Sequence, residues 1–164
     1  MKALRKPMHR FFKDEDGVAL VEFAIALPMM LVVFAVIIEG SRLMLAYQST
    51  IAGVRDATRY LSRVLPVDIC TSGGSVGTYT TQLTAIVGQS VSGRSVLPSA
   101  VTLNSVTPSF ACVTGTYRVS PAAVATVSAS ITVTYPFSGI FGLIGGSVPT
   151  VTTSVADSAR VFGS

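Results

Sequence analysis

Residues 17–38 read GVALVEFAIALPMMLVVFAVII, an apolar run in which Glu22 is the sole charged residue. At about 1.5 Å per residue, a helix of this length spans the roughly 30 Å hydrocarbon core of a bilayer. The whole chain has a mean hydropathy of +0.61 and 12% charged residues, and this run concentrates the apolar excess. The sequence therefore predicts a transmembrane helix over residues 18–38.

A basic segment precedes the apolar run and predicts its orientation. Residues 1–17 hold the chain's lysines and two of its arginines, and no lysine follows Lys13. Under the positive-inside rule this places the N-terminus in the cytoplasm and the residues after Ile38 outside it. The run is longer than the core of a secretory signal and no A-x-A-like site follows it, which disfavours removal of the whole segment. Because the basic residues serve topology, we expect no nucleic-acid partner.

The order of residues around Gly17 resembles a type IV prepilin cleavage site, with a polar leader, a glycine and an apolar run whose fifth residue is Glu22, followed by Phe23. The stretch DEDGVALVEFAIALPMMLVVFAVIIEGSRLMLAYQ resembles the N-terminus of TadE-like proteins, minor pilins or pseudopilins of the tight-adherence (Flp, type IVb) pilus system. The resemblance implies that a prepilin peptidase cuts between Gly17 and Val18. It also implies that Glu22 pairs with the new N-terminal amine of a neighbouring subunit. In the alternative, Glu22 only lies near the membrane interface and Gly17 marks a helix boundary.

The resemblance also implies a place and a role for the protein. It indicates a single-pass protein of the bacterial cytoplasmic (inner) membrane, with an extracytoplasmic C-terminal domain, that can enter the extracellular pilus. Its partners would be the prepilin peptidase, other pilins or pseudopilins, the pilus assembly platform and membrane lipid. The function would be structural, in pilus assembly, adhesion and biofilm formation. The alternatives are an uncleaved single-pass membrane-anchored binding protein and a secreted protein that begins after Ile38.

Residues 39–65 predict an amphipathic extension of the membrane helix. Apolar and small residues recur there at alternating spacings of four and three, and Pro66 ends the pattern. Pro28, within the membrane segment, removes a hydrogen-bond donor and is expected to kink the helix. The opposite face of the extension is charged; it is either solvated or forms subunit contacts, and the candidates for such contacts are Glu39, Arg42, Arg55, Arg59 and Arg63.

Residues 66–164 predict a small extracytoplasmic domain of α+β class, with the helix packed on an antiparallel sheet as in pilins. The segment is rich in Ser, Thr, Val and Gly, which favours strands and turns. We expect a short helix over Tyr79–Val91 and three or four strands, including Ala100–Val106, Val124–Tyr135 and Thr150–Val161. The apolar loop PFSGIFGLIGGSVP joins the last two, and its surroundings resemble the C-terminal half of TadE-like proteins.

Cys70 and Cys112 are the chain's two cysteines, and both lie on the side predicted to be extracytoplasmic. An even pair in an oxidising compartment is most simply a disulfide. Closing a loop of about forty residues would stabilise the domain by roughly 4 kcal/mol in the chain-entropy model. A metal site would need further ligands, and redox chemistry would favour a C-x-x-C spacing.

The sequence offers no recognisable catalytic arrangement. His9 is the sole histidine and lies in the part expected to be removed, so a nucleophile would lack its usual base. The acidic residues after Gly17 show no pairing typical of acid–base catalysis. We therefore predict that the protein is not an enzyme and needs no metal or other cofactor.

Overall fold

The computed structural model describes residues 15–142, 145–146 and 150–163, and for residues 15, 16, 140 and 141 it describes the backbone only. The chain divides into two compact units between Gly40 and Ser41. The elements, in chain order, are α1 (Glu15–Val64), α2 (Ile69–Ser72), a 3₁₀ turn (Gly77–Tyr79), α3 (Thr80–Gly88), β1 (Val101–Val113), β2 (Ala122–Thr134), α4 (Ser138–Gly142) and β3 (Thr150–Arg160).

The second unit is built around an antiparallel sheet in which β2 lies between β1 and β3. Ala129 at the centre of β2 is opposite Val106 on β1 and Val155 on β3. Side chains alternate along β2 between buried alanine, valine and isoleucine and partly exposed serine and threonine. This period of two is what a sheet with one covered face requires.

The covered face of the sheet packs against the part of α1 that belongs to the second unit. Val54, Ala57 and Leu61 of α1 are fully buried in one core cluster with residues of β2 and α3. Three of the β2 residues in that cluster are alanines, namely Ala123, Ala125 and Ala129. Small side chains on the sheet leave room for the larger side chains of the helix, as close packing demands.

Two fully buried threonines on α1 are satisfied within their own helix. The hydroxyl of Thr50 donates to the carbonyl of Ala46 at 2.7 Å, and that of Thr58 donates to the carbonyl of Val54 at 2.8 Å. A buried hydroxyl without such an acceptor would cost roughly 1–3 kcal/mol. These bonds let α1 present polar residues to the core without that cost.

The structure confirms the predicted α+β class, a long N-terminal helix with an antiparallel sheet. It differs from the sequence prediction at β1, which continues from Val101 to Val113 and so passes Pro108. A proline has no backbone N–H to donate. A central strand pairs with neighbours on both sides and tolerates this poorly, but β1 is an edge strand and can contain a proline.

The predicted helix over Tyr79–Val91 is shorter in the structure. α3 ends at Gly88, and Gln89 is extended, with φ −133° and ψ 148°. The chain then forms a tight turn in which Gly93 has φ 76°. The short helices α2 and α4 were not predicted. Of the apolar loop residues, Leu143 and Ile144 lie outside the described residues.

Candidate functional site

The predicted cleavage motif lies in the first turns of α1. Gly17 is helical, and α1 is described from Glu15 onward. Val18 and Glu22 are separated by four residues, which places them on one helix face about 6 Å apart along the axis. Both are exposed, Val18 to 70%. A charge at the position of Val18 and the carboxylate of Glu22 would therefore lie on the same side of the helix.

The apolar part of α1 is an exposed surface. The helix is long and apolar enough to cross a membrane, and its most apolar part is almost wholly exposed. The core helix of a soluble protein would be mostly buried, so its exposure separates α1 from that case. α1 thus has the length, composition and exposure of a membrane anchor. The large exposed side chains include Leu20, Phe23, Ile25, Met29, Leu31, Phe34 and Ile37.

Pro28 lies inside α1, which continues on both sides of it. The helix therefore tolerates the missing donor, as helices in membranes do. The kink expected at Pro28 stays a prediction.

The arginines predicted for the polar face lie in the second unit. Arg55, Arg59 and Arg63 are exposed at successive spacings of four, whereas Arg42 is half-buried. Arg59 Nη1 lies 3.7 Å from Asp56 Oδ1, an exposed ion pair between residues three apart. Such pairs contribute at most about 1 kcal/mol, so this contact only partly offsets the repulsion along the row. Subunit contacts through these arginines stay a prediction.

Glu39 differs from the arginines with which it was grouped. It belongs to the first unit and only 4% of its surface is exposed. Such low exposure is rare for a glutamate side chain. A subunit contact through Glu39 stays a prediction.

The predicted disulfide is present and joins two elements of the second unit. Cys70 in α2 and Cys112 near the end of β1 are bonded, with their Cα atoms 5.8 Å apart and a sequence separation of 42. No free cysteine occurs among the described residues. The bond ties the segment after α1 to the edge strand of the sheet.

Within the described ranges, no group of three His, Cys, Asp or Glu side chains could hold a metal ion. His9 lies outside those ranges. The charged residues singled out from the sequence do not converge on a pocket that would resemble an active site, because they are spread along one helix. The candidate functional site is therefore the surface of α1.

One feature of the second unit escaped sequence reasoning. A turn over residues 89–95 projects beside a groove between α1 and α3, where the sequence had predicted the end of a helix. The available signal was Ser92 followed by Gly93, a dipeptide typical of turns. The apolar periodicity through Val91 outweighed it.

Comparison with known proteins gives a match that covers most of α1. Residues 17–59 match the family model described as TadE-like protein. The resemblance seen in the sequence is confirmed over that segment, which is similar to TadE-like proteins. No curated protein and no solved structure gives a significant match. Because the match ends at residue 59, the likeness of the C-terminal half to TadE-like proteins stays a prediction.

Proposed function

We propose that the protein is a minor pilin or pseudopilin of a Tad (Flp, type IVb) pilus, cut by a prepilin peptidase between Gly17 and Val18. Its role is structural, in pilus assembly and through it in adhesion and biofilm formation. The observation that carries the proposal is the TadE-like segment over residues 17–59. The exposed apolar helix that contains this segment supports it.

In this proposal, α1 lies first in the membrane and then in the pilus. In the membrane, lipid covers the exposed apolar side chains of α1, with residues 1–17 in the cytoplasm and residues 66–164 outside. In the pilus, the helices of other subunits replace the lipid, because one apolar surface satisfies another equally well. The contacts with other pilins and with the assembly platform therefore run along α1.

Glu22 gives the bundle its register. A carboxylate in the apolar part of a membrane helix costs on the order of 1 to 3 kcal/mol and is normally paired. Cleavage after Gly17 creates an ammonium at Val18, and the Glu22 of a neighbouring subunit accepts it. A buried pair of this kind is sensitive to displacement, since separating the charges leaves each of them uncompensated.

The test is the intact mass and N-terminal sequence of the full chain, expressed with and without a cognate prepilin peptidase. We expect a product that begins at Val18 only when the peptidase is active. Gly17→Val should block the cut, because a branched side chain then occupies the position before the scissile bond. Gly40→Val is the matched control in the same helix, where an added Cβ meets no atom within 4 Å, and it should be cut normally.

A chain that retains Met1 beside active peptidase would contradict the proposal. It would leave the uncleaved single-pass membrane-anchored binding protein as the account of the molecule. A soluble product that begins after Ile38 would instead indicate a secreted protein.

A further inference from the structure

A groove of about 700 Å³ lies in the second unit between α1 and α3. Its base is where the two helices approach most closely, since a Cβ added to Gly53 would lie 2.7 Å from the carbonyl oxygen of Val87. Ala52, Ala85 and Ile86 give it predominantly apolar walls. Residues 89–91, 93 and 96, which follow α3, line the remaining side of this open space.

An apolar projection stands at the rim of the same groove. Val91 has a relative exposure of 110%, the highest among the exposed large apolar side chains of the described residues. A single exposed valine is ordinary on a protein surface. This one is held on an ordered turn beside an apolar groove, and that combination calls for an explanation.

The turn that carries Val91 is braced by several hydrogen bonds. The amide of Ser90 donates to the carbonyl of Arg94 at 2.8 Å, and the amide of Gly93 donates to the carbonyl of Ser90 at 2.8 Å. At its base, Gln89 and Ser95 form an antiparallel bridge. A turn fixed in this way loses little conformational entropy when it binds.

Opposite charges lie on the projection and on the groove. Arg94 is exposed on the turn, whereas Asp56 is exposed on the wall that α1 contributes, where it also lies 3.7 Å from Arg59 of the same helix. A copy of the turn entering the groove would bring its arginine towards this aspartate. The charges of the two surfaces are therefore complementary in the sense that steers and orients association.

We propose that two copies of this chain pair through this surface, each inserting the turn of residues 89–95 into the groove of the other. The projection and the groove adjoin on one face, so a two-fold arrangement fills both grooves with one contact. A head-to-tail arrangement would crowd the two neighbours of every copy against each other at that face. The pairing is independent of cleavage after Gly17 and goes beyond the proposed pilus role.

Disulfide cross-linking of the full chain in membranes tests the pairing. Two differently tagged copies carry Val91→Cys and Ala52→Cys, and oxidation should link them into a mixed dimer. Val113→Cys with Ala52→Cys is the matched control, because Val113 is an exposed valine on β1 outside this surface. Cells without a prepilin peptidase keep this result separate from that of the cleavage experiment.

A charge exchange identifies the contact. Arg94→Asp and Asp56→Arg, each added alone to both copies, should reduce the mixed dimer by about fivefold, the scale of an exposed ion pair. The two together in each copy should restore it. A yield from the Val91 pair no higher than from the Val113 control would overturn the proposal, as would cross-linking of Val91→Cys only to a different protein.

Discussion

Glu22 is the charged residue on which the assembly of the apolar helix depends in our proposal. It is exposed on α1, as are the apolar residues around it, so nothing within the described chain covers its carboxylate. In lipid or in a helix bundle, that carboxylate requires a positive or hydrogen-bonding partner. The partner proposed here exists only after cleavage, which makes assembly conditional on processing.

We expect Glu22→Gln to leave membrane insertion and peptidase cleavage intact and to lower incorporation into the pilus about tenfold. The amide keeps the shape of the side chain but replaces a charge-assisted hydrogen bond with a neutral one. Immunoblots of sheared pili and of membrane fractions measure the two pools. Asp68→Asn, the same chemical change at an exposed position in the second unit, should have no effect. Equal incorporation of the two variants would refute the role of Glu22.

At the scale of the elements, the approach of α1 to α3 depends on one glycine. The Cβ that any other residue brings to position 53 would lie 2.7 Å from the Val87 carbonyl oxygen and 3.0 Å from the Val87 Cα. Both are backbone atoms and cannot swing aside as a side-chain end can. The two helices must therefore move apart, and Val54 and Val87 of the core move with them.

Gly53→Ala should accordingly destabilise the second unit by about 1–3 kcal/mol, the usual cost of overpacking. Pulse proteolysis of the detergent-solubilised chain over a urea series measures this as a lower unfolding midpoint. Gly40→Ala is the control on the same helix, with no atom near the added methyl group. It should not lower the midpoint of the second unit, because Gly40 lies in the first unit and alanine is a better helix former than glycine. A Gly53→Ala midpoint equal to that of Gly40→Ala would show that the helices separate at little cost.

At the scale of the whole molecule, the disulfide joins segments that the chain order separates. Cys70 follows α1 directly, whereas Cys112 lies near the end of an edge strand. Close by, Val161 continues from β3 into the core, and the amide of Phe162 donates to the carbonyl of Ser62 at 2.9 Å. The end of α1 is thus tied to both edge strands of the sheet.

Replacing both cysteines by alanine should lower the free energy of unfolding of the second unit by about 4 kcal/mol, from the entropy of the 42-residue separation that the bond closes. The same urea series, run without reductant, measures the loss. Wild-type protein treated with reductant should shift to the same midpoint. A reduced protein as resistant as the oxidised one would show that the core holds this unit without the bond.

Much of this architecture could be predicted because its signals are local. The apolar run, the heptad-like spacing that ends before Pro66 and the period of two in β2 each follow from residues near one another in sequence. The prediction of the disulfide required only the number of cysteines and the predicted compartment. The continuation of β1 past Pro108 and the end of α3 at Gly88 could not be predicted from local sequence. Contacts with neighbouring elements determine where these two elements end.

The sequence by itself determined the long apolar helix of this protein. A helix long and apolar enough for a membrane, with its glycine and glutamate, is specified by consecutive residues, and residues 17–59 match the TadE-like family model. Only the tertiary structure decided that the outer part of α1 meets α3 at Gly53 and that Val91 stands fully exposed beside an apolar groove. Local propensity and periodicity act over a few residues, whereas a groove and the projection at its rim arise from the packing of elements far apart in the chain.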